Sequence, residues 1–308
     1  MEEFDYEKRV MGSEASISIV ADDRATSDVL ARTLFEIAEK EEARFSRFRK
    51  DSELSRLNSE RAIKVSAEFM DALLLGRELY RKSSGVFNPL VDISRFGYDA
   101  DISVIKGTER TGNDGAPYNT DMEAIHIDQE TMSVSLQVGQ NLDFGGFIKA
   151  HTAEKMAMAA LNCQGVLVNL GGDIYARGLD AEGKPFVFMV QHPTDPNVDL
   201  SFIATNVGIA TSGSYNRHWK YRGTPFFHIL DSTGSKNPIT EILSATIISR
   251  TGAEADAYAT AALALGAEAG GEFLTENGCE YCFILTDGSS ICSRSFPMIQ
   301  QSTVNSYA

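Results

Sequence analysis

Residues 251–260 carry the clearest candidate ligands for a metal ion. Asp256 and Thr260 are four residues apart, so in a helix they share a face, and alanines surround them. Mg²⁺ prefers oxygen ligands and commonly takes only one or two carboxylates together with substrate phosphates. The pair therefore predicts a sparse magnesium site. The structural alternative is that the Thr260 hydroxyl donates back to the Asp256 carbonyl.

Two pairs of glycines are each followed by a charged residue. Gly145-Gly146 leads into a helical pattern with Lys149 in its first turn, and Gly171-Gly172 precedes Asp173. Free N–H groups at a helix start attract anions, and glycines let a ligand approach the main chain, so Lys149 could contact a phosphate. The Asp173 carboxylate could hold a ligand hydroxyl or a metal. The alternative is two tight turns, one with a solvated lysine and one with a capping aspartate.

Residues 44–50 (Arg-Phe-Ser-Arg-Phe-Arg-Lys) place four positive charges within seven residues of an acidic chain. Aromatic rings alternate with these cations, a pattern that suits a nucleotide or a flavin. The alternative is an ordinary solvated face.

Several familiar motifs are missing from the sequence. Cys279-Glu-Tyr-Cys282 is a CxxC, but it leads into a strand pattern without a second CxxC or a histidine pair, which argues against a zinc or thioredoxin-like centre. The five histidines show no HxxxH or HExxH spacing, and neither a Walker A loop nor GxGxxG occurs. His228 is of interest only through its neighbours.

The periodicity of apolar residues predicts the elements that position these groups. Alternation around Ile17 and from 132 to 138 predicts strands. Further strands are predicted at 166–170, 186–191, 207–211, 226–230, 246–249, 281–285 and 290–293, the last two forming a hairpin. Helices are predicted at 26–44, after a cap at Ser66, at about 146–158 and at 253–265. Residues 105–120 read as a polar surface loop. The irregular mixture favours an α+β fold. No internal repeat or low-complexity linker divides the chain, so we predict one domain, residues 1–308, with a core at about 10–293.

Composition limits the class of partner. The chain has 308 residues and 43% hydrophobic residues, enough for a sizeable core. Its net charge of −15 argues against nucleic acid or an anionic membrane as a nonspecific partner. No apolar run approaches the roughly 18 residues of a membrane span. The amino terminus shows neither a signal peptide nor a lipobox, so we expect a cytoplasmic protein. In that compartment the four cysteines are expected to be reduced.

Eight motifs in order resemble the ApbE family, the FAD:protein FMN transferases. The landmarks are Met11-Gly-Ser13, the segment 45–58, Gly85-Val-Phe-Asn-Pro89, Asp143-Phe-Gly-Gly-Phe-Ile-Lys149, Val168-Asn-Leu-Gly-Gly-Asp173, Ala210-Thr-Ser-Gly-Ser-Tyr215, His228-Ile-Leu-Asp-Ser-Thr-Gly234 and Ala255-Asp-Ala-Tyr-Ala-Thr260. Each motif alone is weak, but their common order is specific. The resemblance implies mixed or antiparallel sheets packed by helices, with the site in a cleft between lobes.

The resemblance also implies a reaction and roles for residues. Such enzymes use Mg²⁺ to cleave FAD, transfer FMN to a Thr or Ser hydroxyl in a motif of a partner flavoprotein, and release AMP. Asp256, Thr260 and the Gly146 carbonyl match the metal ligands, with Asp256 also counted as catalytic, and His228 matches a base for the acceptor hydroxyl. Positions matched to FAD binding are Met11, Ser46, Arg47, Phe48, Asn88, Lys149, Asp173, Thr211 and Leu230.

Three departures from the family pattern keep alternatives open. Asn88 replaces an aspartate, Lys149 is followed by Ala150 where glycine is usual, and the loop after His228 lacks a proline and is one residue shorter. The alternatives are an Mg²⁺-dependent FAD pyrophosphatase, in which water replaces the acceptor hydroxyl, and a noncatalytic FAD-binding protein.

Overall fold

Helices and strands are mixed irregularly along the chain. The structure, a computed structural model, describes residues 1–100, 102–196, 198, 200–231 and 233–299. Its α-helices are α1 (Arg24–Phe45), α2 (Glu53–Glu60), α3 (Ala67–Lys82), α4 (Ile102–Ile105), α5 (Ile148–Ala159), α6 (Gly252–Leu265) and α7 (Ala267–Glu276). Its strands are β1 (Glu2–Val10), β2 (Ser13–Ala21), β3 (Ala62–Lys64), β4 (Glu109–Arg110), β5 (His126–Asp128), β6 (Ser133–Ser135), β7 (Gly165–Leu170), β8 (Asp173–Gly178), β9 (Phe186–Val190), β10 (Leu200–Ala204), β11 (Val207–Gly213), β12 (His218–Tyr221), β13 (Thr224–Phe227), β14 (Ile242–Ser249), β15 (Glu280–Leu285) and β16 (Ser290–Cys292). Ser232 of the motif at 228–234, and residues 300–308 of the predicted domain, lie outside the described residues.

Eight strands form the large sheet, in the order β1-β2-β7-β8-β11-β14-β15-β16. All of its neighbouring strands are antiparallel. One face packs against α1, α5 and α6, where Leu34, Met156 and Val168 belong to one buried apolar core. The other face is covered by the β9–β10 pair, whose Phe188 and Phe202 rings stack 5.3 Å apart. The expected α+β fold with mixed or antiparallel sheets is confirmed.

A smaller unit, here called the satellite sheet, consists of β4, β12 and β13. It has its own buried aromatic cluster around Trp219, whose indole N–H donates to the Phe96 carbonyl at 2.8 Å. The β4–β12 pair is parallel, unlike the strand pairs of the large sheet. The candidate site lies between these two units.

The helix that carries Asp256 is fixed by direct contact between backbones. A Cβ atom on Gly252 would lie 2.2 Å from the Ala150 carbonyl oxygen of α5, and one on Gly208 of β11 would lie 2.6 Å from Gly252 Cα. Such distances leave no space for a side chain, so α5, α6 and β11 are in contact along their main chains. The many alanines of α6 allow this close packing.

Most predicted elements are present with shifted ends. The Ser66 hydroxyl caps α3 by accepting from Phe69 N at 3.2 Å, and β15 and β16 form the expected hairpin. The strand predicted at 226–230 is wrong beyond Phe227, because β12 begins at His218 and offers no further partner. The strand predicted at 132–138 is reduced to β6. Met132 adopts a positive φ of 55°, and the partners β3 and β5 pair only with residues 133–135. The loop at 105–120 contains the short strand β4.

Among the described residues, no helix is both long enough and apolar enough to cross a lipid bilayer.

Candidate active site

One cavity of about 610 Å³ opens between the end of the large sheet and the satellite sheet. It brings together every residue that the sequence proposed for the site. These are Met11, Ser46, Arg47, Phe48, Asn88, Gly146, Lys149, Asp173, Thr211, His228, Leu230, Asp256 and Thr260. These residues, which span the chain from Met11 to Thr260, thus line the same cavity. The role of each of them stays a prediction.

Two hairpin tips form one wall of the cavity. The turn between β1 and β2 is Met11-Gly12, with φ of 54° and 71°, and the turn between β7 and β8 is Gly171-Gly172, with φ of 70° and 102°. Two-residue hairpins of this kind need positive φ at both positions, which explains the glycines. Because β2 pairs with β7, the tips lie side by side. The turn also fixes Met11 at the cavity wall.

The Lys149 ammonium forms a buried ion pair with Asp173. Its Nζ donates to Asp173 Oδ2, and the two side chains are only 14% and 8% exposed. The interpretation of Lys149 as a solvated lysine is therefore wrong. Lys149 lies in the first turn of α5, whose N-cap, Phe147, provides no side-chain hydrogen bond. A cation and a helix start without a side-chain cap thus face the same cavity, an arrangement that favours a phosphate.

Asp256 is a buried carboxylate with one oxygen unused. Its Oδ2 has no hydrogen-bond partner, although the side chain is buried. Burial, and then the nearby charge of Asp173, raise the pKa of Asp256 well above its ordinary value, whereas Lys149 and Arg217 partly oppose this. A buried, unpaired carboxylate oxygen beside a second carboxylate is a place where a cation is favoured.

The Thr260 hydroxyl has its hydrogen-bond partner on β11. The Thr260 hydroxyl lies 3.3 Å from the Ser212 hydroxyl, instead of bonding back to the Asp256 carbonyl. Thr211, the residue expected at the site, points to the opposite side of the strand and shares a hydrogen bond of 2.9 Å with Thr246. Both line the cavity, but Ser212 is the one that contacts α6. Its place beside Thr260 depends on strand register, which the sequence motif does not show.

His228 has an imidazole nitrogen that lacks a partner. Its Nδ1 is buried without a hydrogen bond. Burial, with smaller contributions from Arg217 and Lys149, lowers the pKa of His228 to about 3. The imidazole is thus neutral at ordinary pH, and Nδ1 is left without a partner inside the cavity. Arg217 was not predicted as a site residue, yet it lines the cavity and its charge acts on both His228 and Asp256.

The segment after His228 is held by one amide side chain. Asn237 Nδ2 donates to the Phe227 and Ile229 carbonyls at 2.7 and 2.6 Å, and its Oδ1 accepts from Phe227 N at 3.0 Å. This side chain replaces the missing strand partner on both sides of His228. The sequence offers no signal for Asn237, because asparagine is neither charged nor nucleophilic and is common in polar loops.

Only part of the basic run 44–50 faces the cavity. Arg44 pairs with Glu41 at 2.8 Å and lies near two further carboxylates, so it serves the packing of α1. Arg47 lies against the Phe48 and Tyr98 rings, at 4.5 and 4.6 Å from their centroids, and 3.5 Å from Asp143. The stacked Arg47 forms an edge of the cavity that suits a planar ring system.

Asn88 is fully engaged with the main chain. Its Nδ2 donates to the Thr120 carbonyl at 2.8 Å, and its Oδ1 accepts from Leu90 N at 2.9 Å. The side chain therefore holds the cavity wall. An aspartate here could not donate to Thr120, so the departure from the family pattern matches this particular loop.

The residues present fit a magnesium ion of the expected kind. Asp256 supplies an unused carboxylate oxygen, Thr260 a hydroxyl one turn later, and Gly146 a carbonyl next to the α5 start. No group of three His, Cys, Asp or Glu residues suited to a metal occurs in the described part of the chain. The site is therefore poor in protein charge and needs further oxygens from a substrate, which is typical for Mg²⁺.

The sequence matches one family of known proteins. The sequence pattern of the ApbE family matches residues 11–283. The chain belongs to the ApbE family. An FAD:protein FMN transferase of Klebsiella pneumoniae (strain 342) is 26% identical over 298 residues, covering 91% of this chain and 83% of the relative. One from Haemophilus influenzae is 26% identical over 286 residues, covering 88% and 83%.

Solved ApbE structures share the fold. The ApbE protein from Thermotoga maritima superposes with a TM-score of 0.85 at 21% identity, covering 96% of this chain and 98% of that one. The apo form of the Pseudomonas stutzeri flavinyl transferase ApbE gives 0.79 at 20% identity, covering 96% and 95%. The fold of this chain is thus that of the ApbE family.

Proposed function

We propose that this chain is a Mg²⁺-dependent FAD:protein FMN transferase, which moves FMN from FAD to a Thr or Ser hydroxyl of a partner flavoprotein and releases AMP. The observation that carries the proposal is the meeting, in one cavity, of an unused Asp256 oxygen, an unpartnered His228 nitrogen and the Lys149 ammonium. Family membership and the names of the relatives support it.

The positive groups of the cavity would hold the FAD pyrophosphate. Lys149 projects from the start of α5, Arg47 lies at the edge, and Arg217 comes from the loop before β12. Phosphoryl transfer depends mainly on positioning and charge neutralisation, so three cations around one dinucleotide suit the reaction. The Lys149–Asp173 pair keeps the ammonium in place before the substrate binds.

His228 would serve as the general base. Its neutral imidazole takes the proton of the acceptor hydroxyl while that oxygen forms a bond to the FMN phosphorus. The pyrophosphate P–O bond breaks, and the electron pair leaves with AMP. Asn237 fixes the main chain on both sides of His228 and so orients the ring.

Asp256, Thr260 and the Gly146 carbonyl would hold Mg²⁺. When bound, the ion neutralises charge on the pyrophosphate oxygens during transfer. Ser212, which lies 3.3 Å from Thr260, keeps that hydroxyl oriented towards the cavity.

The test combines the full chain with FAD, Mg²⁺ and an acceptor flavoprotein domain, followed by intact mass and nucleotide analysis. The proposal expects the acceptor to gain one FMN, with one AMP released per adduct. Release of AMP and FMN without an adduct would favour FAD pyrophosphatase activity instead. Unchanged FAD would overturn both enzymatic functions and leave a noncatalytic FAD-binding protein.

Two histidine variants distinguish loss of the general base from a general loss of structure. His228→Ala should slow transfer while FAD still binds, because the cavity retains its cations. The control is His126→Ala, an exposed histidine of β5 far along the chain from the site motifs. Equal transfer rates for His228→Ala and the unmodified chain would show that the proton leaves by another route.

A further inference from the structure

Two cysteines lie directly opposite each other on the last two strands of the large sheet, β15 and β16. Cys282 of β15 and Cys292 of the edge strand β16 are register partners. Cys282 is fully buried and Cys292 is partly exposed. Neither residue lines the cavity or takes part in the proposed transfer, so this pair is separate from the site described above.

The ladder shows which kind of pair they form. Ser293 N donates to the Tyr281 carbonyl, and Leu285 N donates to the Ser289 carbonyl, each at 2.8 Å. Hydrogen-bonded and non-hydrogen-bonded pairs alternate in an antiparallel ladder, so Cys282 and Cys292 form a non-hydrogen-bonded pair. Such pairs have Cα atoms about 4.5 Å apart, within the roughly 4.4–6.8 Å range that a disulfide spans.

The CxxC motif is not the reactive unit. Alternation along β15 puts Cys282 on the face covered by β9 and β10, whereas Cys279 belongs to the core on the α6 side. Burial raises the pKa of Cys279 to about 11 and also raises the pKa of Cys163. These two thiols have no sulfur neighbour in a matching strand position, so they lack the geometry for a bond.

The sulfur pair is also electronically asymmetric. The neighbouring Cys292 sulfur and then burial raise the pKa of Cys282, while the Cys282 thiol, by donating towards it, lowers the pKa of Cys292. The thiolate therefore forms first on Cys292, which is the more accessible of the two. An accessible thiolate beside a buried partner thiol is the arrangement of a reactive dithiol.

We propose that Cys282 and Cys292 are a redox modification site that closes to an intrachain disulfide in the presence of a low-molecular-weight disulfide, RSSR. The Cys292 thiolate attacks one sulfur of RSSR, forms a mixed disulfide and releases RS⁻. Cys282 loses its proton and attacks the Cys292 sulfur, which releases the second RS⁻. Two protein S–H bonds become one S–S bond, and two electrons and two protons pass to RSSR, giving two RSH.

The test uses the folded full chain and glutathione disulfide. After acid quenching and denaturation, alkylation and intact mass count the free thiols, of which the sequence has four. We expect two thiols to disappear with no glutathione retained and a mass loss of about 2 Da, reversed by dithiothreitol. Peptide mapping should join the segments that contain residues 282 and 292. Four remaining thiols, or a lasting glutathione adduct on Cys292, would overturn the proposal.

The matched variants differ in which partly exposed thiol is removed. In Cys292→Ser, each of the three remaining cysteines should be found either as a free thiol or as a glutathione adduct. No internal disulfide should form. Cys163→Ser removes the other partly exposed thiol and should still lose two. An internal disulfide in Cys292→Ser, or a crosslink between two chains in the unmodified protein, would contradict the assignment.

Discussion

Replacing Asp256 with asparagine should have opposite effects on the protein with and without its ligands. The carboxylate is buried, one of its oxygens is unpartnered, and Asp173 lies nearby. Leaving a buried polar atom unsatisfied costs about 1–3 kcal/mol. The introduced amide has the same shape as the carboxylate but carries no charge, so it removes the cost of burying a charge and the repulsion from Asp173. Asp256→Asn should therefore stabilise the ligand-free protein.

The size of the effect follows from the length of the chain. At about 2.1 cal/mol/K per residue, 308 residues give an unfolding entropy of about 0.65 kcal/mol/K. The recovered 1–3 kcal/mol then corresponds to a rise of roughly 2–5 °C in melting temperature. In the unmodified protein, one bound ligand at a hundred times its dissociation constant adds about 2.7 kcal/mol, or about 4 °C.

Differential scanning fluorimetry at neutral pH, with and without FAD and Mg²⁺, measures both effects. Asp256→Asn should melt higher than the unmodified protein when ligand-free, and Mg²⁺ should add nothing to its shift with FAD. Asp22→Asn changes an exposed aspartate outside the cavity and should alter neither value. A lower melting temperature of ligand-free Asp256→Asn, or a Mg²⁺ shift that survives the substitution, would refute the assignment.

Three further predictions concern positions around the site. Asn88→Asp turns a donor into a carboxylate facing a main-chain carbonyl and should cost about 1–3 kcal/mol in urea unfolding; no loss would mean that the amide bonds are unimportant. Gly252→Ala puts a Cβ 2.2 Å from the Ala150 carbonyl oxygen and should cost at least about 2 kcal/mol, whereas Gly115→Ala, in open space, should be neutral. Burial lowers the pKa of His151, so the folded ring stays neutral while the unfolded chain takes up a proton below about pH 6.5, and stability falls as the pH drops through that value. His151→Gln should therefore reduce the loss of melting temperature between about pH 7.5 and about pH 5, and an unchanged slope would assign the loss to other groups.

The sequence could predict those parts of the fold and site that depend on local pattern. The cap at Ser66, the hairpin after Leu285 and the helix that carries Asp256 each have their signal within a few residues. The ordered motifs likewise led to the residues that meet in the cavity. These signals are local, so they do not depend on knowing which segments pack together.

The missed features depend on distant partners. Ser212 is recognised only through its contact with Thr260, and Asn237 through its bonds around His228. Strand β1 was missed because it lies at the edge of the sheet and buries only Phe4 and Val10, too few for a clear alternation. Helix α7 was missed because it contains two adjacent glycines, one of which packs tightly on α6.

The contact of α5, α6 and β11 through their backbones has a consequence for how this protein can be altered. The parts that hold Lys149 and Asp256 cannot shift independently, because no side chains cushion Gly252 from Ala150. The opposite wall is built differently, because the satellite sheet has a core of its own and can be altered without disturbing that contact. For engineering, this wall is the natural unit to exchange between homologues, while the helix pair is best left unchanged as a fixed support.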